Sequence, residues 1–330
     1  MAGNFVQLHN HTHYSLLDGA SKVPDLVKRV KELGMPAVGI TDHGNMHGAY
    51  ELWRAAVDSG VKPIIGIEAY VTPETARQDK TRVSWDTNWT PVPGHARNPD
   101  DVSGGGLITH LTMWAENDEG LVNLIKASSV ANLEGRVMRY PRMDKEVLST
   151  YSKGVIASSG CPSGIIQTRL RLGQFDEALR AAGEFQDIFG KDNFYIELMD
   201  HGLSIESKVT GDLLTIAKKL GAPLLATNDS HYVMEADKDA QDAMLCINSG
   251  ATLDDPNRFK FEGSGYYIKS AEEMRELFKD HPDACDNTLE IAERCNVIFD
   301  DHEDGAFMPQ FDCPEGWDET SLFLKKVEEG

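Results

Sequence analysis

The sequence predicts an α/β fold: a barrel of seven βα units followed by a C-terminal helical extension. Three observations point there. Short apolar runs recur seven times along the chain, each closes at or near a His, Asp, Glu or Cys, and stretches of helical period lie between them. Strand alternating with amphipathic helix implies crossover units and a parallel sheet. Seven such units favour a closed barrel over an open sheet. In βα barrels the working side chains gather at the C-terminal ends of the strands, where these polar residues fall.

The first run, residues 5–8, ends at His9, and the second, 37–41, at Asp42 and His43. The third, 64–67, ends at Glu68; the fourth, 107–109, reaches His110; the fifth, 155–158, precedes Cys161. The sixth, 194–196, ends at Glu197, and the seventh, 224–227, at Asp229 and His231. Between them, residues 21–33 place Val23, Leu26, Val27, Val30 and Leu33 on one helical face, with a stop at Gly34 and Pro36. Residues 172–189, 205–220 and 271–278 follow the same period. Residues 72–106 are polar, rich in Pro and Gly, and read as a long surface insertion. Residues 272–295 are helical with a break at Pro282, and 317–329 read as a short helix after an irregular stretch.

Composition narrows the function. Over 330 residues, 41% hydrophobic and 26% charged content describes a globular chain. Five cysteines, odd in number, irregular in spacing and without a CxxC pair, argue against a disulfide framework. No apolar run reaches bilayer-spanning length, and the first residues lack a signal-peptide pattern, so a cytoplasmic location is expected. A net charge of −21 disfavours a free-standing nucleic-acid binder. A phosphate substrate then requires positive charge from metal cations or from a neighbouring domain.

The strand-end residues have the chemistry for metals. In LHNHTHYSLLDG, His9 and His11 are two apart on a strand and point the same way, which suits two ligands on one ion. Asp18 adds a hard oxygen donor. In TDHGN, His43 reads as a ligand, and Asp42 as a ligand, an acceptor that orients an imidazole, or a helix N-cap. Glu68, closing an apolar run, is costly to bury unless paired or coordinated, and a carboxylate can bridge two ions. His110 and Cys161 suit zinc, whereas mixed oxygen and nitrogen sites also accept manganese or iron. Asp229 and His231 repeat the two-residue spacing of the first strand, and a closed barrel sets the last strand beside the first.

Together, LHNHTHYSLLDG, TDHGN, GIEAY, THL, SSGCPSG and ATNDSHY resemble the PHP family, named for polymerase and histidinol phosphatase. The resemblance covers roughly residues 4–295 and is strongest to the PHP domain that opens the alpha subunit of bacterial DNA polymerase III, a family C polymerase. The later stretches MRELFKDHPDACDNTLEIAERCNVIF and MPQFDCPEG are similar to that polymerase's lead toward its palm. The resemblance implies a distorted (βα)7 TIM-like barrel over residues 1–285, with 286–330 starting a connection to a palm domain. It implies three divalent ions, zinc or manganese with iron a third candidate. His9, His11, Glu68 and Asp229 would hold the first; Asp18, His43 and His231 the second; Glu68, His110 and Cys161 the third. It further implies 3′→5′ exonucleolytic hydrolysis of a DNA 3′ end. His201, in ELMDHG after the sixth run, falls on the same barrel end and reads as a phosphate contact or an acid. The expected partners are the DNA 3′ end, the remainder of a polymerase chain, and replisome components such as a sliding clamp or a proofreading subunit. A non-catalytic scaffold and a small-molecule phosphatase of histidinol-phosphatase type are the competing readings. No pair of polymerase-type catalytic aspartates is recognisable in these residues.

Overall fold

A computed structural model of the chain describes residues 5–16, 18–86, 90, 98, 100, 105–263, 265–299 and 311–330. Its elements run α1 (Val23–Glu32), β1 (Ala37–Ile40), α2 (Ala49–Ser59), β2 (Lys62–Val71), β3 (Thr109–Ala115), α3 (Asp118–Glu134), β4 (Arg142–Met143), α4 (Lys145–Thr150) and β5 (Val155–Ser158). They continue through α5 (Ile165–Arg171), α6 (Phe175–Phe189), β6 (Phe194–Leu198), α7 (Ser204–Leu220), β7 (Leu224–Ala226), α8 (Lys238–Ser249), α9 (Ala271–Leu277), α10 (Pro282–Arg294) and α11 (Glu319–Glu329). Of the expected insertion, residues 72–86, 90, 98, 100, 105 and 106 are described, and the rest of it lies outside the described residues.

The strands form one curled sheet in the order β1-β2-β3-β5-β6-β7, with β4 paired to the end of β2. The first apolar run is not a regular strand. Its residues make isolated bridges, Gln7 to Val38 on one side and Asn10 to Ser230 on the other, so the N-terminal segment fills the gap between β1 and the chain after β7. The His11 amide donates to the Ser230 carbonyl at 2.7 Å and the Gly39 amide to that of Gln7 at 2.8 Å. The approach at Gly39 requires glycine, since a Cβ there would stand 2.6 Å from the Leu8 carbonyl oxygen.

The sheet departs from all-parallel order at one strand. β3 runs antiparallel to both β2 and β5, with Tyr70 opposite His110 and Met113 opposite Ala157. Antiparallel neighbours need no crossover helix between them. His110 therefore sits at the start of its strand rather than at its end. The reversal still brings it to the rim that holds the C-terminal ends of the parallel strands.

Strands β1, β5 and β6 are buried along their whole length, as expected for strands covered on both faces. Val6, Leu8, Ala37, Ile64, Trp114, Ile156, Tyr195 and Leu225 form a core together with Ile291 and Ala292 of α10 and Cys295 just after it. Trp114 ties this core together by donating its indole N–H to the Leu8 carbonyl at 3.1 Å. Pro282 opens α10 at its first position, where a missing N–H costs nothing. Position 285 lies within this helix, and the compact unit runs on to Ile298. A second unit begins at Phe299; among its described residues α11 is capped by Asp318, whose carboxylate accepts from the Ser321 amide.

Candidate metal centre

Glu68 lies within β2, wholly buried, and four imidazoles face its carboxylate. His9 Nε2 is 3.5 Å from Oε1 and His11 Nε2 3.4 Å from Oε2; His43 Nδ1 is 2.6 Å from Oε2 and His110 Nδ1 3.2 Å from Oε1. Asp229 Oδ1 stands 3.3 Å from His9 Nε2 and 3.0 Å from His11 Nε2, and those two nitrogens are 3.3 Å apart. Four donors sharing one tetrahedral ion at zinc–ligand lengths of ~2.0–2.1 Å stand about 3.3–3.4 Å from each other. His9, His11 and Asp229 lie close to that edge length, and Glu68 meets the two imidazoles through different oxygens at 3.5 and 3.4 Å. Asp229 adopts φ +44°, a left-handed conformation uncommon for a residue with a side chain, found where a site over-determines the backbone.

Asp18 spans two further imidazoles, Oδ2 to His43 Nε2 at 3.3 Å and Oδ1 to His231 Nε2 at 3.1 Å. On the other side of Glu68, the Cys161 sulfur is 3.4 Å from His110 Nδ1. Among the described residues, the trios of donor atoms within 4.8 Å of one another are His9 with His11 and Asp229, His11 with His43 and His231, and His43 with Glu68 and His110. All nine expected ligands thus converge on one rim. His43 stands between the second and third expected sets, one ring nitrogen facing each.

The fit to a metal is tested by the donor atoms themselves. Both Glu68 oxygens, Asp229 Oδ1, Asp18 Oδ1, His43 Nδ1 and His231 Nε2 are buried without a hydrogen bond of acceptable geometry among the described residues. Buried polar atoms are normally satisfied, so a convergent set of orphans marks a place for an absent partner. The outer nitrogens are, by contrast, engaged. His9 Nδ1 meets Glu197 Oε1 at 2.7 Å, and that carboxylate also accepts from Thr227 Oγ1 at 2.6 Å and from the Ser158 hydroxyl. His11 Nδ1 meets Ser15 Oγ at 2.9 Å, and Ser15 passes its own proton to Asp42 Oδ1 at 2.7 Å. His231 Nδ1 meets the Asp229 carbonyl at 2.8 Å. Each partner holds a proton on Nδ1 and leaves the Nε2 lone pair pointing inward, as metal-bound histidines require.

The protonation pattern follows from the same contacts. Burial opposes ionisation of Glu68, yet His110 and His43 pull its carboxyl well below the usual range. Against the same burial, His231 and His43 lower Asp18, and His9 and His231 lower Asp229. Burial acts against charge on His9, but Glu197 and Asp229 raise its pKa well above the ordinary value; Asp18 and Asp229 raise His231 likewise. His11 is pushed down to about 3 by burial and by neighbouring His43 and His231. Burial, with Glu68 close by, raises the Cys161 thiol well above its usual value. Without an ion, protons shared between imidazoles and carboxylates carry the charge balance. A divalent cation would displace them.

The rim opens into a cavity of about 750 Å³ with Asp18, His43, His110, Cys161 and Asp229 on its floor. Its walls are aromatic: Tyr70 and Tyr140 on one side, Phe259, Phe261 and Tyr266 on the other.

Several expectations are refined by this geometry. Asp42 is neither a ligand nor a helix cap. Its carboxylate accepts from the Thr12 amide at 2.7 Å, the Thr12 hydroxyl at 2.8 Å and Ser15, and α2 begins only at Ala49. His201, expected to meet phosphate, stands behind the wall. Its Nδ1 meets Glu206 at 2.6 Å, its Nε2 meets the Asn228 carbonyl at 2.9 Å, and its ring stacks on Tyr266 at 4.1 Å. With both nitrogens engaged it has nothing to offer a substrate. Glu197 and Ser15 escaped assignment. Glu197 carried a signal, the same run-terminal position as Glu68, whereas nothing in the sequence singled out Ser15.

A curled α/β sheet whose rim gathers five histidines, three carboxylates and a thiol around orphaned donor atoms defines a divalent-metal-binding barrel. The PHP domain model matches residues 7–201, and the chain belongs to that family. It is 51% identical to a DNA polymerase III subunit alpha of Mycobacterium leprae over 99% of this chain and 27% of that protein, and 39% identical to the Borreliella burgdorferi subunit over 98% and 26%. The chain thus spans about a quarter of the length of these curated relatives. Among solved structures, an amidohydrolase from Chromobacterium violaceum overlaps at TM-score 0.39 and 14% identity, covering 69% of this chain and 87% of that one. A two-domain protein containing a predicted PHP-like metal-dependent phosphoesterase from Bacteroides vulgatus overlaps at TM-score 0.39 and 11% identity, covering 88% and 69%. Likeness this loose carries no argument about the site. No helix among the described residues is long and apolar enough to cross a membrane.

Proposed function

We propose that this chain is the metal-dependent phosphodiesterase module of a cytoplasmic bacterial replicative polymerase, and that it removes nucleotides from a DNA 3′ end as a 3′→5′ proofreading exonuclease. The observation that carries the reading is the convergence of orphaned donors on Glu68. Three divalent ions, zinc or manganese with iron as a third candidate, would be held by His9, His11, Glu68 and Asp229; by Asp18, His43 and His231; and by Glu68, His110 and Cys161. Clustered divalent ions supply Lewis-acid stabilisation of charge on a phosphodiester and an acidified water. The chain's own contribution is to fix the donors. Glu197 and Ser15 hold the histidine tautomers, and the barrel rim brings nine side chains from distant segments to one place.

Similarity to DNA polymerase III alpha subunits over nearly the whole chain favours DNA over a small phosphate monoester. The same similarity makes the rest of a polymerase chain, and through it a sliding clamp or proofreading subunit, the natural partners. In this reading the connection toward the polymerase body, expected from residue 286, begins after Ile298. The net charge of −21 leaves DNA presentation to that body. The test is degradation of a 3′-labelled primer with manganese or zinc supplied, with Asp229→Asn beside it and bound metal counted in both. Cleavage by the unaltered chain alone supports the reading. An inert chain that retains its metals, tested with the polymerase body present, would show a scaffold.

A further inference from the structure

The cavity above the metal floor is larger than a phosphate needs, and its two walls differ. On the His231 side, Phe261 packs edge-to-face with the His231 ring at 4.6 Å and tilted against Tyr266 at 4.8 Å, which leaves it partly buried. Phe259 meets Phe261 edge-to-face at 6.0 Å, lines the cavity and is 62% exposed, so much of its ring is open to solvent. The loop that carries it is anchored, since Arg258 pairs with Asp242 of α8. Elsewhere on the lining, the Arg139 guanidinium lies 5.3 Å from the centre of the Tyr140 ring and donates to Asn248 of α8 at 2.5 Å. Lys260, next to Phe259, is the second cation on the lining. In a chain of net charge −21, Arg139 and Lys260 share the cavity lining with Glu262, Asp18 and Asp229.

We propose that this wall is a nucleotide clamp: Phe259 stacks the unpaired terminal base of a DNA strand while Arg139 and Lys260 hold the next phosphate outward from the metal floor. The inference rests on the hydrolase reading above and adds what selects the substrate. An aromatic face exposed beside a metal floor fits a nucleobase, because every base offers a π-face and stacking tolerates sequence. Flanking cations fit the phosphodiester that follows. A terminal base in a duplex is stacked and paired, and must be freed before Phe259 can take it. The clamp therefore prefers frayed or mismatched ends.

The test places 2-aminopurine at the 3′ terminus of a single-stranded oligonucleotide and reads its fluorescence on binding to the 330-residue chain, with calcium supplied and salt low. Hydrolysis of the same oligonucleotide and of bis(p-nitrophenyl) phosphate is measured in manganese. Expected are quenching by the unaltered chain, loss of that quenching in Phe259→Leu, and a fall of about 10-fold or more in the ratio of kcat/KM for oligonucleotide over diester. Phe259→Trp restores both, and Arg139→Gln lowers the same ratio with quenching reduced less. Quenching that survives Phe259→Leu, a ratio that does not move, or a paired terminus cut as fast as an unpaired one overturns the clamp. Failure of the unaltered chain to hydrolyse either substrate counts against the hydrolase reading instead, and quenching then decides the clamp by itself.

Discussion

Two buried polar assemblies occupy the same barrel and differ in one respect. At the base of the insertion, Arg142 is fully buried and its guanidinium donates to four carbonyls: Gly135 at 3.2 Å, Leu107 at 3.3 Å, and Arg77 and Asp79 at 2.7 Å each. Nearby, Asp144 accepts from the Arg77 amide at 2.9 Å and the Val147 amide at 3.1 Å. Around Glu68, by contrast, buried donors and acceptors crowd together and leave six atoms without hydrogen bonds among the described residues. A fully satisfied buried network holds structure. An unsatisfied one in a folded protein is a site whose partner is not the protein itself. Burial of charge does not separate the two; completeness does.

The sharpest way to break this comparison is to remove its two hubs. Glu68→Gln should abolish binding of at least two ions and lower hydrolysis by about 10³-fold or more, read by metal counting and by rate. Arg142→Leu should do the reverse: about 3 kcal/mol or more lost in denaturant unfolding, because carbonyls lose their donor, with the metal count retained. If Arg142→Leu empties the metals, or Glu68→Gln unfolds the metal-free chain, the two assemblies are not separable. Glu197→Gln tests the outer partners. A neutral amide holds the His9 Nδ1 proton less firmly, and metal affinity should fall about 10- to 100-fold by competitive titration. Unchanged affinity would reduce Glu197 to a packing role.

The smallest effect expected is in pH. His9 and His231 have folded pKa values above their unfolded ones. Their stabilisation is complete below about pH 6.5 and is lost as pH rises through the raised values. The lowered carboxyls of Glu68, Asp18 and Asp229 contribute above the ordinary carboxylate range and lose that contribution only as pH falls through their depressed values. His11, held down to about 3, costs stability only on the acid side of about 6.5. These groups therefore make the metal-free chain less stable from about pH 6.5 upward. Metal competes with the same protons, so the stability gap between metal-loaded and metal-free chain should widen from pH 6 to 8 in parallel denaturation curves. A gap independent of pH would separate the metals from this cluster.

Particular residues show how much was legible beforehand. His9, His11, Glu68, Asp229 and His231 could be picked from the sequence because an apolar run fixes burial and its terminal polar residue then demands a partner. The helices α1, α6, α7 and α10 follow from their periodicity and, for α10, from Pro282. The reversal of β3 could not be read, since a strand's direction depends on which neighbour it pairs with and no local residue encodes that. His201 shows the same limit, for its run-end position resembles that of a site residue and only the contact with Glu206 withdraws it. For Asp42 the sequence offered the orienting role beside two others, and the fold chose it by way of Ser15, which nothing in the sequence singled out.

The sequence alone thus determined the chemistry: which side chains can hold metals, that they lie at the ends of buried runs, and that segments more than two hundred residues apart share a two-residue ligand spacing. Tertiary structure decided the assembly: that the N-terminal segment closes the ring beside Ser230, that α10 joins the core, and that His9, His11 and His231 turn Nε2 inward. The physical reason is range. Burial and residue type are written locally along the chain, whereas ring closure, strand direction and tautomer are set by partners that only folding brings within hydrogen-bonding distance.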